Sequence, residues 1–226
     1  MRGDFFKFPS TPHLVAPAGI DLRGDKSLSE AKREEFLRHE LVVEEKIDGA
    51  NLGVSFDGEG NLRVQNRGAY LELPGAGQWR LLGDWLAPRL DALFDNLGDR
   101  HILFGEWCRA RHSLFYDRLP DWFLGFDLYD REAGRFLAAA RRDGLLAKMS
   151  LARVPFLARG RFSLSNLGNL LPRSRFSDQP AEGLYLRRDR GGWLEERAKL
   201  VRPEFIQSLG EHWSASPRRL NRLGRD

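Results

Sequence analysis

The chain has 226 residues, of which 42% are hydrophobic, and it contains one cysteine, Cys108. This length suffices for one sizeable core, while a single cysteine excludes an internal disulfide and a cysteine-based zinc site, so any metal must bind to oxygen ligands. The formal net charge is +4. No apolar run approaches the roughly 20 residues of a membrane helix, and residues 1–17 lack a secretory pattern. We therefore expect a single-domain cytoplasmic protein that does not bind membranes.

The first third of the chain is predicted to form a helix followed by a strand meander. Ser27 and Glu30 have the spacing of a capping box, which predicts a helix over residues 27–39. Runs of β-branched and alternating apolar residues predict strands at 41–47, 50–56 and 62–67. The segment Asp57-Gly58-Glu59-Gly60 predicts the hairpin turn between the second and third of these strands.

The remaining segments mix helices and strands without strict alternation. Residues 78–97 carry apolar side chains at helical spacing, with Pro88 expected to end or kink the helix. Further predicted elements are strands at 101–108, 123–129 and 154–157, a helix at 138–149, and strands at 183–188 and 193–201 around a Gly191-Gly192 hairpin, with helical segments from Pro203 onward. Because βαβ alternation is missing, the order predicts an α+β fold with largely antiparallel sheets.

Lys46 stands at the end of an apolar strand, immediately before a glycine turn at Gly49. The chain has 30 arginines and six lysines, so a lysine is informative here: its amine can lose a proton and attack phosphorus, whereas a guanidinium cannot. Strand alternation predicts Glu44, Lys46 and Asp48 on one face. A solvated polar face with an exposed turn is the competing interpretation, so other segments must decide between them.

Further short motifs follow Lys46 in a defined order. In chain order they are Lys46-Ile47-Asp48-Gly49 with Asn51, Arg67-Gly68, Phe104-Gly105-Glu106, Phe123-Leu124-Gly125-Phe126-Asp127, Glu182-Gly183-Leu184-Tyr185 and Arg197-Ala198-Lys199-Leu200. Together they resemble the ordered motifs of the covalent nucleotidyltransferases, which include nucleic-acid ligases and messenger-RNA capping enzymes. The asparagine at position 51 resembles the first motif as it occurs in the RNA ligase 2 branch of that superfamily.

The resemblance implies an ATP-grasp-like nucleotidyltransferase domain over residues 1–226 with a short helical tail. The chain after Val201 is too short for the OB-fold domain of capping enzymes, which argues against capping. NAD-dependent ligases are much larger chains with a cysteine zinc module, and this chain with its single cysteine does not fit that pattern, so ATP is the expected donor. Magnesium or manganese is the expected metal.

The resemblance also implies a role for each motif residue. Lys46 would take AMP from ATP, with Glu106 and Glu182 holding the metal and Lys199 and Arg67 completing the catalytic set. The remaining implied ATP contacts are the Glu45 backbone carbonyl to adenine, Phe126 stacked on adenine, Arg197 at the α-phosphate, and Asp48 and Asn51. Arg197 departs from the branch, which usually carries lysine there.

Each role has a structural alternative. Lys46 and Arg67 also fit surface salt bridges, the glutamates fit surface charges, and Phe126 fits core packing. The strand carrying Arg197 and Lys199 also fits a solvated edge. A basic and aromatic stretch at 109–122 fits either a nucleic-acid surface or a partly buried aromatic cluster.

The predicted function is an ATP-dependent RNA ligase that joins a 3′-hydroxyl to a 5′-phosphate through lysyl-AMP and an adenylylated 5′ end. RNA ends are the expected partner, with DNA or an RNA–DNA hybrid left open as the substrate of a DNA ligase or nick sealer. The sequence also leaves open a separate end-healing kinase or phosphatase partner. Two rivals belong to other classes: a noncatalytic nucleic-acid-binding domain and an AMP or GMP transferase acting on a small molecule or a protein.

Overall fold

The computed structural model describes residues 5–16, 26–171, 173–208 and 219–224, without the side chains of 206–208. Nine strands of the described chain form two antiparallel sheets, which confirms the predicted α+β class. The strands are β1 Leu41–Lys46, β2 Ala50–Phe56, β3 Leu62–Gln65, β4 His101–Trp107, β5 Phe123–Asp130, β6 Arg135–Phe136, β7 Phe156–Gly160, β8 Gly183–Arg190 and β9 Trp193–Val201. One sheet has the order β7-β1-β8-β9 and the other β3-β2-β4-β5-β6.

Helices cover the outer faces of both sheets. They are α1 Glu30–Leu37, α2 Leu82–Leu86, α3 Leu90–Leu97, α4 Ala139–Lys148, α5 Leu164–Asn169 and α6 Pro203–Ser208. One apolar core lies under the five-stranded sheet and contains Trp85, Leu93 and Leu146. A second lies under the four-stranded sheet around Phe36 and Leu167, and a third lies between the sheets. None of the helices in the described ranges is long and apolar enough for a bilayer crossing.

Two predicted helix features differ from the structure. The first helix begins at Glu30, and its cap is Ser29, whose hydroxyl accepts from the Lys32 amide at 3.4 Å. The predicted capping box at Ser27 is therefore wrong, because Ser27 pairs with His13 in an isolated bridge. The helix predicted over 78–97 begins only at Leu82, after a 3-10 turn at Gly77–Trp79. The interruption expected at Pro88 is confirmed, because a second 3-10 turn, Ala87–Arg89, lies between α2 and α3.

Other boundaries shift by a few residues. The strand predicted at 154–157 lies at Phe156–Gly160 instead, because Pro155 offers no amide and its carbonyl accepts from Glu45. The helix predicted from Pro203 onward is present over Pro203–Ser208. Residues 209–218 of the predicted helical tail lie outside the described residues, and residues 219–224 contain no helix, so the prediction is wrong for them.

The chain passes from one sheet to the other directly after Lys46. Lys46 ends β1 opposite Gly183 of β8, and residues 47–49 then lead into β2 of the second sheet. Two close approaches explain the glycines of this crossing. A Cβ at Gly49 would lie 3.0 Å from the Cys108 sulfur, and one at Gly183 would lie 2.2 Å from the Leu200 carbonyl oxygen. The crossing therefore places the lysine at the mouth of the space between the sheets.

Two fully buried arginines join the sheets behind this crossing. Arg142 of α4 binds the Glu44 carboxylate at 2.5 and 3.1 Å and donates to the Phe126 carbonyl oxygen at 2.6 Å. Arg187 of β8 donates to the same carbonyl oxygen at 3.1 Å and pairs with Asp127. Because each charge has a partner, the network holds β5 against the other sheet without a buried unpaired ion.

Replacing Arg142 by methionine is expected to lower the free energy of unfolding by about 3–5 kcal/mol, because the Glu44 carboxylate would stay buried without a cation. The neighbouring exposed Arg141, whose guanidinium lies over the Trp193 ring, is the matched control. Arg141→Met should cost about 1 kcal/mol or less. Urea denaturation of the two variants tests this, and equal losses would show that the buried pair has no special stabilising role.

Candidate active site

A cavity of about 390 Å³ opens between the two sheets where the chain crosses. Nine of the ten residues predicted for the site line it: Glu45, Lys46, Asp48, Asn51, Arg67, Glu106, Phe126, Glu182 and Lys199. Six of them lie on the strands β1, β2, β4, β5 and β9, while Asp48 and Arg67 follow β1 and β3, and Glu182 immediately precedes β8. Motifs that are far apart along the chain thus come together at one cavity.

Lys46 and Glu182 form an ion pair in the cavity wall. The Lys46 amine lies 2.7 Å from the Glu182 carboxylate, and their side chains are 24% and 8% exposed. Desolvation acts to lower the pKa of Lys46, but attraction to Glu182, Glu106 and Asp48 outweighs it, so the pKa is raised. Desolvation by burial likewise raises the pKa of Glu182 to about 7, against the opposing pull of Lys46.

Glu106 and Asn51 present oxygen atoms without a hydrogen-bond partner among the described residues. They are cross-strand neighbours on β4 and β2, and both Glu106 Oε2 and Asn51 Oδ1 are buried. Desolvation by burial raises the pKa of Glu106 to about 8. Oxygens with spare acceptor capacity are the donor type that Mg²⁺ or Mn²⁺ prefers, so these residues and Glu182 fit a hydrated divalent cation.

No group of three His, Cys, Asp or Glu side chains within the described ranges is arranged as a direct metal cage. Magnesium usually keeps several of its waters and takes only one or two protein carboxylates. The donor set therefore fits a cation held largely through its water shell. The predicted metal role of Glu106 and Glu182 stays a prediction.

Asp48 is held in place by the loop between β4 and β5. Its Oδ2 atom accepts from the Ser113 and Leu114 amides, both at 2.7 Å, and its own amide donates to the Tyr116 hydroxyl at 2.9 Å. Three hydrogen bonds therefore fix the position of Asp48. Glu44 does not line the cavity, because its carboxylate is buried against Arg142. Its position on the same strand face as Lys46 and Asp48 stays a prediction.

Glu45 lines the cavity, but its carboxylate is committed elsewhere. It accepts from the Ser174 hydroxyl at 2.5 Å and from the Arg175 amide at 2.9 Å, and the residue is 1% exposed. No role was predicted for this side chain. The structure assigns it one, because these bonds anchor the segment before Glu182 to β1.

Phe126 lies at one wall of the cavity and is 8% exposed. Its ring meets the Phe8 ring edge-on at a centroid distance of 5.3 Å. The two buried arginines described above fix its carbonyl oxygen. The core-packing interpretation is confirmed, since the ring packs in the core between the sheets. The ring also borders the cavity, and its stacking on adenine stays a prediction.

The two cations of β9 have different surroundings. Lys199 lines the cavity, and its charge acts to lower the pKa of Glu182. Arg197 does not line it: the guanidinium donates to Asp127 at 2.9 Å and lies over the Phe8 and Phe136 rings at 4.6 and 4.5 Å. The prediction that Arg197 and Lys199 both point toward one phosphate is therefore wrong for Arg197. Arg67 is exposed at the cavity mouth and contacts Ser10 at 3.5 Å.

Comparison with known proteins identifies the family. The profile of the RNA ligase family matches residues 39–201, which run from two residues before β1 to the end of β9. This chain belongs to the RNA ligase family. No curated protein matches this RNA ligase family member.

Solved structures of a Naegleria gruberi RNA ligase share its fold. A variant with AMP and Mn aligns with a TM-score of 0.61 and 18% identity over 92% of this chain and 65% of that chain. A variant with ATP and Mn gives 0.62 and 18% over 79% and 54%, and the protein with PPi gives 0.56 and 19% over 77% and 52%. This family member therefore spans between about half and two thirds of the length of those proteins.

Several residues that line the cavity of this RNA ligase family member were not predicted: Phe8, Pro9, Thr11, Ile47, Gly49, His112, Val154, Tyr185 and Phe205. Tyr185 had a usable signal, because it belongs to the motif Glu182-Gly183-Leu184-Tyr185. Phe8 and Thr11 had none, since they come from a segment without regular structure that precedes the motifs. His112 belonged to the basic stretch that the sequence left undecided, and it contacts Gln78 at 3.2 Å.

The raised pKa of Glu106 has a consequence for stability. A carboxyl group whose pKa is raised from 4.5 to about 8 binds its proton more tightly in the folded state. The stabilisation of the folded state by the protonated Glu106 is fully present below pH 4.5 and is lost as the pH rises through the folded pKa. Glutamine cannot ionise, so Glu106→Gln should raise the thermal unfolding midpoint at about pH 9 and leave it unchanged near pH 4.

Thermal unfolding without divalent cations measures this difference. The exposed Glu34 of α1 supplies the control, because Glu34→Gln should produce no such growing difference. A Glu106→Gln effect that is the same at both pH values would contradict the raised pKa.

Proposed function

We propose that this RNA ligase family member is an ATP-dependent RNA ligase that captures AMP on Lys46 and joins a 3′-hydroxyl to a 5′-phosphate. One observation carries the proposal: the Lys46 amine meets Glu182 at 2.7 Å inside a cavity that nine motif residues line. A surface salt bridge, the competing interpretation, does not account for a buried pair that also faces Glu106 and Asp48.

The cavity suits a nucleotide. Its volume of about 390 Å³ lies in the usual range for small-molecule pockets, roughly 300–1,000 Å³. Phe126 offers an aromatic wall for adenine, and Glu45, whose backbone carbonyl we assign to adenine, lines the same space. Lys199 and Arg67 supply positive charge toward phosphates. Adenine would therefore lie deep in the cavity, with its phosphates toward Lys46.

The first step requires an uncharged Lys46. The nitrogen bonds to the α-phosphorus, the bond to the pyrophosphate oxygen breaks, and the amine proton leaves. Glu182 touches this nitrogen and has a pKa of about 7, so it is positioned to take that proton. Mg²⁺ or Mn²⁺, when bound, supplies positive charge that stabilises the phosphates.

The later steps need a polynucleotide. A 5′-phosphate oxygen attacks the phosphorus of lysyl-AMP, and the lysine nitrogen leaves and regains a proton. The 3′-hydroxyl then attacks the 5′-phosphate phosphorus, with AMP as the leaving group. Positioning and charge neutralisation dominate such phosphoryl transfers, which suits a site built from fixed charges. RNA is favoured as the substrate because the matched family and its solved relatives are RNA ligases.

Labelled nucleotides test the proposal. The protein is incubated with α-labelled ATP or GTP and Mg²⁺, and the label that stays on the protein is measured. We expect capture from ATP alone, followed by transfer to 5′-phosphorylated RNA and release of AMP during joining. A pure binding domain would capture no label, whereas transfer to DNA ends only would identify a DNA ligase. Either result would overturn the proposal.

A further inference from the structure

We propose that residues 219–224, here called the clasp segment, position Asp48 beside Lys46, with Asn221 as the central positioning residue. The inference rests on the proposed function for its catalytic consequence, but not for its structural part. The clasp segment lies beyond the 39–201 range that the family profile matches. Its contribution is therefore a feature of this chain that the shared motifs do not supply.

The clasp segment binds the long loop between β4 and β5. Residues 108–122 of that loop contain no helix or strand in the structure. Several of its backbone donors bond to residues outside it: Arg111 to the Arg219 carbonyl at 2.9 Å, Leu119 to the Arg222 carbonyl at 3.1 Å, and Asp117 and Arg118 to the Phe176 carbonyl at 3.1 and 3.2 Å. A loop without its own ladder depends on such partners.

Asn221 provides the most connected contacts. The residue is 2% exposed. Its side-chain oxygen accepts from the Tyr116 amide at 2.9 Å, and its side-chain nitrogen donates to the Cys108 and Ala110 carbonyls at 2.7 and 3.3 Å. Its own amide donates to the Arg109 carbonyl at 3.1 Å. One buried amide side chain thus ties the first residues of the loop to its middle.

The same middle of the loop holds Asp48. The Ser113 and Leu114 amides donate to the Asp48 carboxylate, and the Tyr116 hydroxyl accepts from the Asp48 amide. Tyr116 is therefore fixed at its backbone amide by Asn221 and binds Asp48 through its hydroxyl. The Tyr116 carbonyl also accepts from the Arg222 amide at 2.8 Å. Two layers of short hydrogen bonds link the clasp segment to the crossing that carries Lys46.

The link reaches the reacting group because Asp48 lies only two residues after Lys46. Its charge acts on Lys46, Glu106 and Glu182 alike. If the loop loses its support, the Asp48 carboxylate loses two fixed donors and the turn at 47–49 loses its anchor. The amine would then sample positions away from the α-phosphorus, which lowers the rate of AMP transfer.

A double-mutant cycle tests the inference. Asn221→Ala should lower the single-turnover rate of AMP transfer about tenfold, the effect of losing roughly 1.4 kcal/mol of positioning. In an Asp48→Ala background the same change should have an effect of less than about twofold, because the link acts through Asp48. Leu220→Ser is the control, since Leu220 is 49% exposed in the same segment and its backbone bonds are retained; it should leave the rate unchanged.

Amide hydrogen exchange supplies a readout that needs no catalysis. Asn221→Ala should speed exchange at Ser113 and Leu114 by about tenfold or more, while the Val43 amide in β1 keeps its protection. The proposed role of the clasp segment would be contradicted if Asn221→Ala lowered the rate equally in the unmodified and the Asp48→Ala protein. Unchanged amide exchange at Ser113 and Leu114 would contradict it as well. If the unmodified protein captures no AMP, the proposed function fails and the exchange result still decides the clasp on its own.

Discussion

Replacing Lys46 by alanine or by arginine is expected to abolish AMP capture from ATP, a rate loss of at least about four orders of magnitude. Alanine removes the nucleophile. Arginine keeps the positive charge beside Glu182 and much of the side-chain length, but its guanidinium does not lose a proton near neutral pH. The two variants should therefore fail equally, and label retention on the protein measures both.

The control for this pair is Lys32→Arg on the exposed face of α1, which should retain full activity. Activity of Lys46→Arg comparable to that of the unmodified protein would contradict the role of Lys46. In that case the lysine would act only as a fixed charge for Glu182.

Replacing Glu182 by glutamine is expected to lower the maximal rate of AMP transfer by about two to three orders of magnitude, because the amine loses both its charged partner at 2.7 Å and the proton acceptor proposed above. The pH dependence should change as well. Attraction to Glu182 is the largest effect that raises the pKa of Lys46. Its removal lowers that pKa, so the rising limb of the pH–rate profile should move to lower pH.

Single-turnover rates across a pH series measure both effects. Glu196→Gln on β9 is the matched control, because its side chain is 51% exposed and pairs only with Arg188 in the described structure. A lower plateau without any shift of the rising limb would mean that Glu182 does not set the pKa of Lys46.

The sequence predicted the strands around the site well because their signals are local. The strands Ala50–Phe56 and Trp193–Val201 agree with the predicted bounds residue for residue. Both are bounded by turn sequences rich in glycine and aspartate, and the second turn places Gly191 and Gly192 at positive φ. Nine of the ten predicted residues line one cavity, and each lies on a strand or within two residues of one.

What the sequence did not predict depends on partners distant in the chain. Glu44 binds Arg142, which lies 98 residues away in the chain, and does not line the cavity. Arg197 is drawn to Asp127, 70 residues away, by a buried carboxylate that alternation alone does not reveal. Asn221 contacts Tyr116 across 105 residues, and no motif marks it. A polar side chain takes the partner that tertiary packing offers, and local periodicity carries no information about that partner.

The central claim is that Lys46 forms a covalent bond to AMP. Peptide mapping by mass spectrometry, after the protein is treated with ATP and Mg²⁺, tests it directly. We predict one adenylyl group on the peptide that contains Lys46, labile in acid and stable in alkali as a phosphorus–nitrogen bond requires. An adduct on any other residue, or ATP bound in the cavity without an adduct at Lys46, would contradict the claim.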